Sequence, residues 1–189
     1  MSRIDVLLQH PKRTLGVLAL VLVAVGVAVG SGANFSASSA NPSNTFTAGT
    51  LTMSNSNDAA AILTASNWKP GDTSTGTVDI KNTGSLSGTF SLSRSALTDS
   101  DNSNPLSAKI DLVIHDCGTF TGNTAPSCST GGSDVYTGTL AALSSSQALG
   151  TYAADAQHRY KFTATFNSGA GNVYQSGTST ATFTWNAVQ

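Results

Sequence analysis

Glutamate is absent from all 189 residues, and only 10% of the side chains carry a charge. Without glutamate there is no H-E-x-x-H signature, whose acid is the general base of the usual zinc protease. Nor is there the bidentate glutamate that completes an EF-hand. The DSDNSN stretch before Pro105 sets Asp99, Asp101 and Ser103 at alternate positions. Lacking that glutamate and a central glycine, it reads as a polar loop. Serines are plentiful, but no G-x-S-x-G elbow holds one. No basic stripe interleaved with aromatics occurs, which argues against nucleic acid as a partner. No repeat of fixed period occurs either, which excludes a solenoid. Beyond the N-terminal segment only His115 and His158 remain as histidines. The expectation is a protein that is not an enzyme and takes no cofactor or metal.

What fills the chain is Ser, Thr, Gly, Asn and Ala, a composition suited to strands with polar outer faces and many turns. The segment Asn67–Leu86, NWKPGDTSTGTVDIKNTGSL, organises the rest. Pro70 supplies the φ of the second position of a tight turn, Gly71 tolerates positive φ at the third, and Asp72 caps the turn. Gly76, Val78 and Ile80 then alternate with Thr75, Thr77, Asp79 and Lys81, the period of a half-buried strand. Asn82-Thr-Gly84 turns the chain into Leu86, Gly88, Phe90 and Leu92.

The same alternation recurs downstream. Leu106–Ile114 reads as one long strand, Val135–Leu140 as its antiparallel return, and His158–Phe166 and the stretch through Phe183, Trp185 and Ala187 as two more. Ala59–Ala65 is a short apolar run that reads as a strand. Ala141–Gln157 reads mostly as loop with a short strand. About eight strands and no amphipathic helix predict an all-β fold, a two-sheet antiparallel jelly-roll-like sandwich.

At the N-terminus, Lys12 and Arg13 precede the apolar run Leu15–Gly30, followed by Ser31-Gly-Ala33. A positive flank, a run of this length and small residues before the cut describe a secretory signal peptide. Cleavage is expected between Ala33 and Asn34, leaving no stable membrane anchor; an uncleaved anchor is the competing reading. The organisation is then 1–33 signal peptide, 34–50 N-terminal arm and 51–189 sandwich. Asn34–Asn44 is polar and reads equally as a disordered terminus or as an arm that adds a strand to a neighbouring subunit.

Cys117 and Cys128 flank CGTFTGNTAPSC. In an exported protein this spacing reads as a disulfide across a hairpin loop, worth about 2–3 kcal/mol in the loop-entropy picture. A metal site of His115, Asp116 and both thiols is the alternative.

The motifs WKPGD at Trp68–Asp72 and VDIKNTGSL at Val78–Leu86 resemble the KPGD and KNTGSL pattern of the TasA/camelysin family. The apolar leader resembles the signal segments cut by SipW-type signal peptidases. TFTAGTL at Thr45–Leu51 and the turn from Asn172 to Gly177 before Phe183-Thr-Trp185 resemble the family in the same order. The resemblance weakens over Asp99–Gly150. It implies a jelly roll, secretion to the extracellular matrix or cell surface, and a subunit of biofilm matrix fibres. Camelysin relatives are described as metallopeptidases; the missing glutamate argues against that activity here.

The resulting expectation is a subunit that polymerises head to tail by donating its arm. Asn34, Phe35, Thr45, Phe46, Gly49 and Leu51 are the assembly residues, with Phe35 and Phe46 as anchors and Gly49 as the close-approach point. Partners are further copies of itself, the signal peptidase, and a minor anchoring or nucleating matrix protein. The alternative is a monomeric surface sandwich binding a glycan or envelope partner through Trp68, Tyr136, Tyr152 and Tyr174.

Overall fold

The computed structural model describes residues 11–30, 45, 47–129 and 131–189. They fall into two units divided after Phe46. The first contains helix α1, Pro11–Gly30, which carries the apolar run. Among the described residues no helix is long and apolar enough to cross a membrane. Ala33 and Asn34, and with them the cleavage site, lie outside the described residues.

The second unit, Thr47–Gln189, holds eight strands. These are β1 (Met53–Asn55), β2 (Thr73–Asn82), β3 (Gly88–Asp99), β4 (Ile110–Phe120), β5 (Ser133–Thr139), β6 (Gln147–Tyr152), β7 (Gln157–Phe166) and β8 (Ser179–Val188). One sheet has five strands in the order β1-β2-β7-β4-β5, the other three in the order β6-β3-β8. Every pairing is antiparallel. The expected all-β, two-sheet sandwich is therefore the fold.

Local chemistry accounts for the organising segment. Asp72 N donates to Lys69 O at 3.0 Å, Gly71 sits at φ +95°, and the Asp72 carboxylate accepts from Lys69 N at 3.1 Å. The turn thus carries the cap that its residues promise. β2 then lies along β7 with Val78 opposite Tyr160 and Ile80 opposite His158. β4 flanks β7 on the other side, with Leu112 opposite Ala164 and Ile114 opposite Phe162. Val78, Ile80, Leu112, Ile114, Tyr160 and Phe162 are all at most 1% exposed. The three-stranded sheet closes on them. Phe183 meets Phe162 and Trp185 meets Tyr160, each pair with ring centroids 5.0 Å apart. Phe90 stacks on Tyr152 at 4.2 Å.

Two expected strands differ. Leu106–Lys109 is a 3₁₀ turn rather than the start of β4. The Asp99 carboxylate takes Ser107 N at 2.8 Å and Ser107 Oγ at 2.6 Å, and Ala108 N bonds Pro105 O. Those bonds curl the chain before alternation can begin. Ala59–Ala65 forms no strand at all: Ala59 sits at φ +57°, and the Ile62 carbonyl is packed over Gly76 of β2.

One fully buried polar side chain ties the connections together. Asn82 Nδ2 donates to the carbonyls of Leu86 (2.8 Å), Tyr152 (3.2 Å) and Ala153 (3.1 Å), and its Oδ1 accepts from Gly84 N at 3.0 Å. It joins the β2–β3 turn to the end of β6. Asn82→Leu leaves all four groups without that partner, and each orphaned buried group costs about 1–3 kcal/mol. The expected loss of about 3 kcal/mol or more should lower the urea midpoint with the slope unchanged, read from tryptophan fluorescence.

Candidate functional site

Five strands facing three leave part of one inner face without a strand above it. There the sandwich opens into a cleft of about 760 Å³. Leu112, Ile110, Ala164 and Phe166 of the five-stranded sheet form its floor. One wall is β8 through Ser179, Ala181 and Phe183; the other is the irregular segment from Leu63 to Pro70, ending in half-buried Trp68. β8 pairs with β3 alone, so its second edge is open to pairing.

The chemistry of the lining is narrow. Its only charged side chain is Lys69, and it contains no acid and no histidine. Among the described residues, Ser179 Oγ is a buried side-chain oxygen without a hydrogen-bond partner. Such a lining offers no carboxylate, imidazole or thiol, and it suits an uncharged extended chain. A strand within a sandwich occupies about 160 Å³ per residue, given a rise of ~3.3 Å, a strand spacing of ~4.8 Å and a sheet separation of ~10 Å. The cleft therefore holds about five residues.

The chain joins the sandwich far from this cleft. Leu86 N donates to Thr50 O at 3.1 Å, Thr83 N to Thr52 O at 2.9 Å, and Thr50 N to Ser85 Oγ at 2.9 Å. Gly49 lies so close beneath Leu86 that a Cβ would fall 2.4 Å from its Cγ. Leu51 packs against the core, its methyls filling the space a Cβ on Gly88 would take. Gly88 also neighbours the Val188 carbonyl, at the far end of β8. Thr45 is exposed. Asn34, Phe35 and Phe46 lie outside the described residues. Sequence reasoning did not find the cleft residues on β8, because nothing local marks which strand ends a sheet.

A second polar cluster surrounds the cysteine loop. Cys117 and Cys128 are joined by a disulfide. Bulges in the β4 ladder set two histidine–aspartate pairs at its root, on opposite faces of β4. His158 Nδ1 lies 3.0 Å from Asp116 Oδ2, its ring stacked on Tyr152 at 4.2 Å. The Tyr152 hydroxyl contacts that of Tyr160, and burial pushes both phenols up. Tyr152, offered from sequence as a contact aromatic for a surface ligand, is buried and so cannot serve.

His115 sits on the outer face, with Nδ1 2.6 Å from Asp134 Oδ1 and Nε2 2.9 Å from Gly131 O. Both ring nitrogens face acceptors, so the site favours imidazolium. The bond to Asp134 first, and the Gly131 carbonyl second, hold its pKa above the ordinary 6.5. A metal fits poorly here. Both thiols are consumed by the disulfide, and both nitrogens of His115 and one of His158 are occupied. Among the described residues no three His, Cys, Asp or Glu side chains are grouped to hold an ion.

A family model described as Camelysin metallo-endopeptidase matches residues 10–147. Comparison with curated proteins gives no match.

The His115 pair sets a pH dependence. A histidine whose folded pKa is raised contributes stability that is complete below the unfolded value of 6.5 and lost as pH rises through the folded one. Wild type and His115→Gln should therefore differ most in urea midpoint below pH 6.5 and converge in mild alkali. A gap that is constant with pH would show that the pair does not titrate.

Proposed function

The chain belongs to the camelysin metallo-endopeptidase family, yet from its donor set and its open cleft we propose a structural rather than catalytic role. It is a secreted subunit that polymerises into extracellular, biofilm-type fibres by giving its N-terminal strand to the next copy. The observation that carries this reading is the separation of two features along β8. The chain joins the sandwich beside Val188, whereas the cleft opens at Ser179. Ten residues of strand, about 30 Å, lie between them.

An arm leaving one end and a strand-sized vacancy at the other form a heterologous contact that does not close on itself, the geometry of a filament. Asn34–Thr50 contains no charged residue, matching a cleft lined by a single cation. Phe35 and Phe46 are the arm's two large apolar side chains. Export through the N-terminal leader would deliver the subunit to an oxidising space, where the Cys117–Cys128 bond persists. The partners of this reading are the signal peptidase, further copies, and a minor protein that anchors or nucleates the fibre.

Peptidase chemistry receives no support from the donor set, since the two described histidines are engaged and no glutamate exists to serve as base. The purified chain with added zinc is accordingly expected to leave casein intact.

The arm is tested by deletion. Mature protein, Asn34–Gln189, should form uniform filaments in negative-stain micrographs, with an axial repeat of one subunit. Removing Asn34–Asn44 should abolish them while circular dichroism remains that of the folded sandwich. Filaments of normal yield from the deletion would remove the arm from the mechanism.

A further inference from the structure

His115 faces more acceptors than a neutral ring can serve. Its Nδ1 lies 2.6 Å from Asp134 Oδ1 and its Nε2 2.9 Å from Gly131 O. A carbonyl only accepts, and so does an ionised carboxylate, so the two bonds together require both ring N–H groups. The surrounding charge agrees. Asp134 on β5 and Asp116 on β4 act on the ring, against one cation, Lys161, opposite it on β7. The hairpin 117–133 contains no charged side chain.

What the second N–H holds is a glycine strap. Gly131 and Gly132 both sit at φ +83°, the left-handed region in which a side chain is strained. A Cβ on Gly132 would stand 1.8 Å from the Asp116 carbonyl oxygen and 3.0 Å from His115 Nε2. The strap therefore lies on the peptide that leads into Cys117, and only glycine fits there. It also steadies the other cysteine, since Ser129 and Thr130 alone separate Cys128 from Gly131. Cys117 is 5% exposed and its Sγ lies 3.8 Å from the His115 carbonyl, whereas Cys128 is half-buried. Cys128 Sγ is thus the more accessible sulfur.

We propose that the Gly131–Gly132 strap, fastened by His115, is a proton-controlled gate on the Cys117–Cys128 disulfide. With both ring nitrogens protonated, His115 holds the strap on β4 and with it the segment after Cys128. Losing one proton leaves a single N–H for two acceptors, and the charged Asp134 retains it. The Gly131 carbonyl then faces a lone pair, the strap lifts, and Cys128 Sγ opens to attack by a dithiol reductant. The reductant's thiolate bonds to Cys128 Sγ, the S–S bond breaks, and Cys117 leaves as thiolate and takes up a proton. The second reductant thiol displaces Cys128, giving a cyclic disulfide and two protein thiols. The gate does not depend on the fibre reading.

Reduction of the mature chain by dithiothreitol, followed by alkylation of the freed thiols, tests the gate. His115→Gln lacks the fastening at every pH, and dividing its rate by that of wild type cancels the reductant's own titration. At about pH 6 the variant should be reduced about tenfold faster, the ratio that one lost hydrogen bond gives. In mild alkali the ratio should fall to one. Gly132→Ala cannot seat the strap and should match His115→Gln at every pH, while circular dichroism remains that of the folded sandwich. A ratio that does not change with pH, or a Gly132→Ala chain reduced at the wild-type rate, would overturn the gate.

Discussion

The structure follows from one mismatch: a five-stranded sheet packed against a three-stranded one. A sheet buries one face only where something covers it. β3, β6 and β8 cover only part of the larger sheet, where Phe90, Leu92, Tyr152 and Trp185 complete the core. The ends of β4 and β7 at Ile110, Leu112, Ala164 and Phe166 floor the cleft, and irregular backbone lies on β2 at Gly76. Gly76 in the middle of β2 is the local accommodation, since any side chain there would collide with the Ile62 carbonyl. The mismatch thus explains a glycine that strand propensity alone would disfavour.

How much of this was legible in the sequence depended on how local each interaction is. The Lys69–Asp72 turn and the alternation of β2 were readable, because proline, glycine, aspartate and the period of two act over a few residues. Leu106–Lys109 was misread, because the Asp99 carboxylate that curls it arrives from seven to eight residues upstream and leaves no mark on the alternation. Ala59–Ala65 reads as a strand and is not one, because a strand needs a neighbour whose absence the sequence cannot display. The cleft itself was invisible for the same reason: it is made by which strands stop a sheet. The two histidine–aspartate pairs depend on bulges in β4, and register shifts of that kind have no signature in composition.

The cysteine loop is held by more than its covalent bond. The disulfide closes it, His158 and Asp116 fasten its root from the inner face, and His115 with Asp134 fastens it from the outer. Each fixture draws on a different chemistry: a covalent sulfur bond, a half-buried histidine–aspartate hydrogen bond, and an exposed imidazole that its acceptors hold as imidazolium. The loop and the cleft share no residue, so this fastening leaves the open edge of β8 free to evolve or to be altered without disturbing it.

The separation of Val188 from Ser179 along β8 would give a filament of the proposed kind a direction. One tip would end in an open cleft and the other in an undonated N-terminal segment, so the two tips would differ chemically and need not grow at equal rates. A copy that kept its cleft but had lost that segment would accept the one at a tip and offer none of its own. Such copies would stop elongation there in proportion to their number. Proteolytic trimming near the new N-terminus would in this way set fibre length by stoichiometry, with no change to the folded domain.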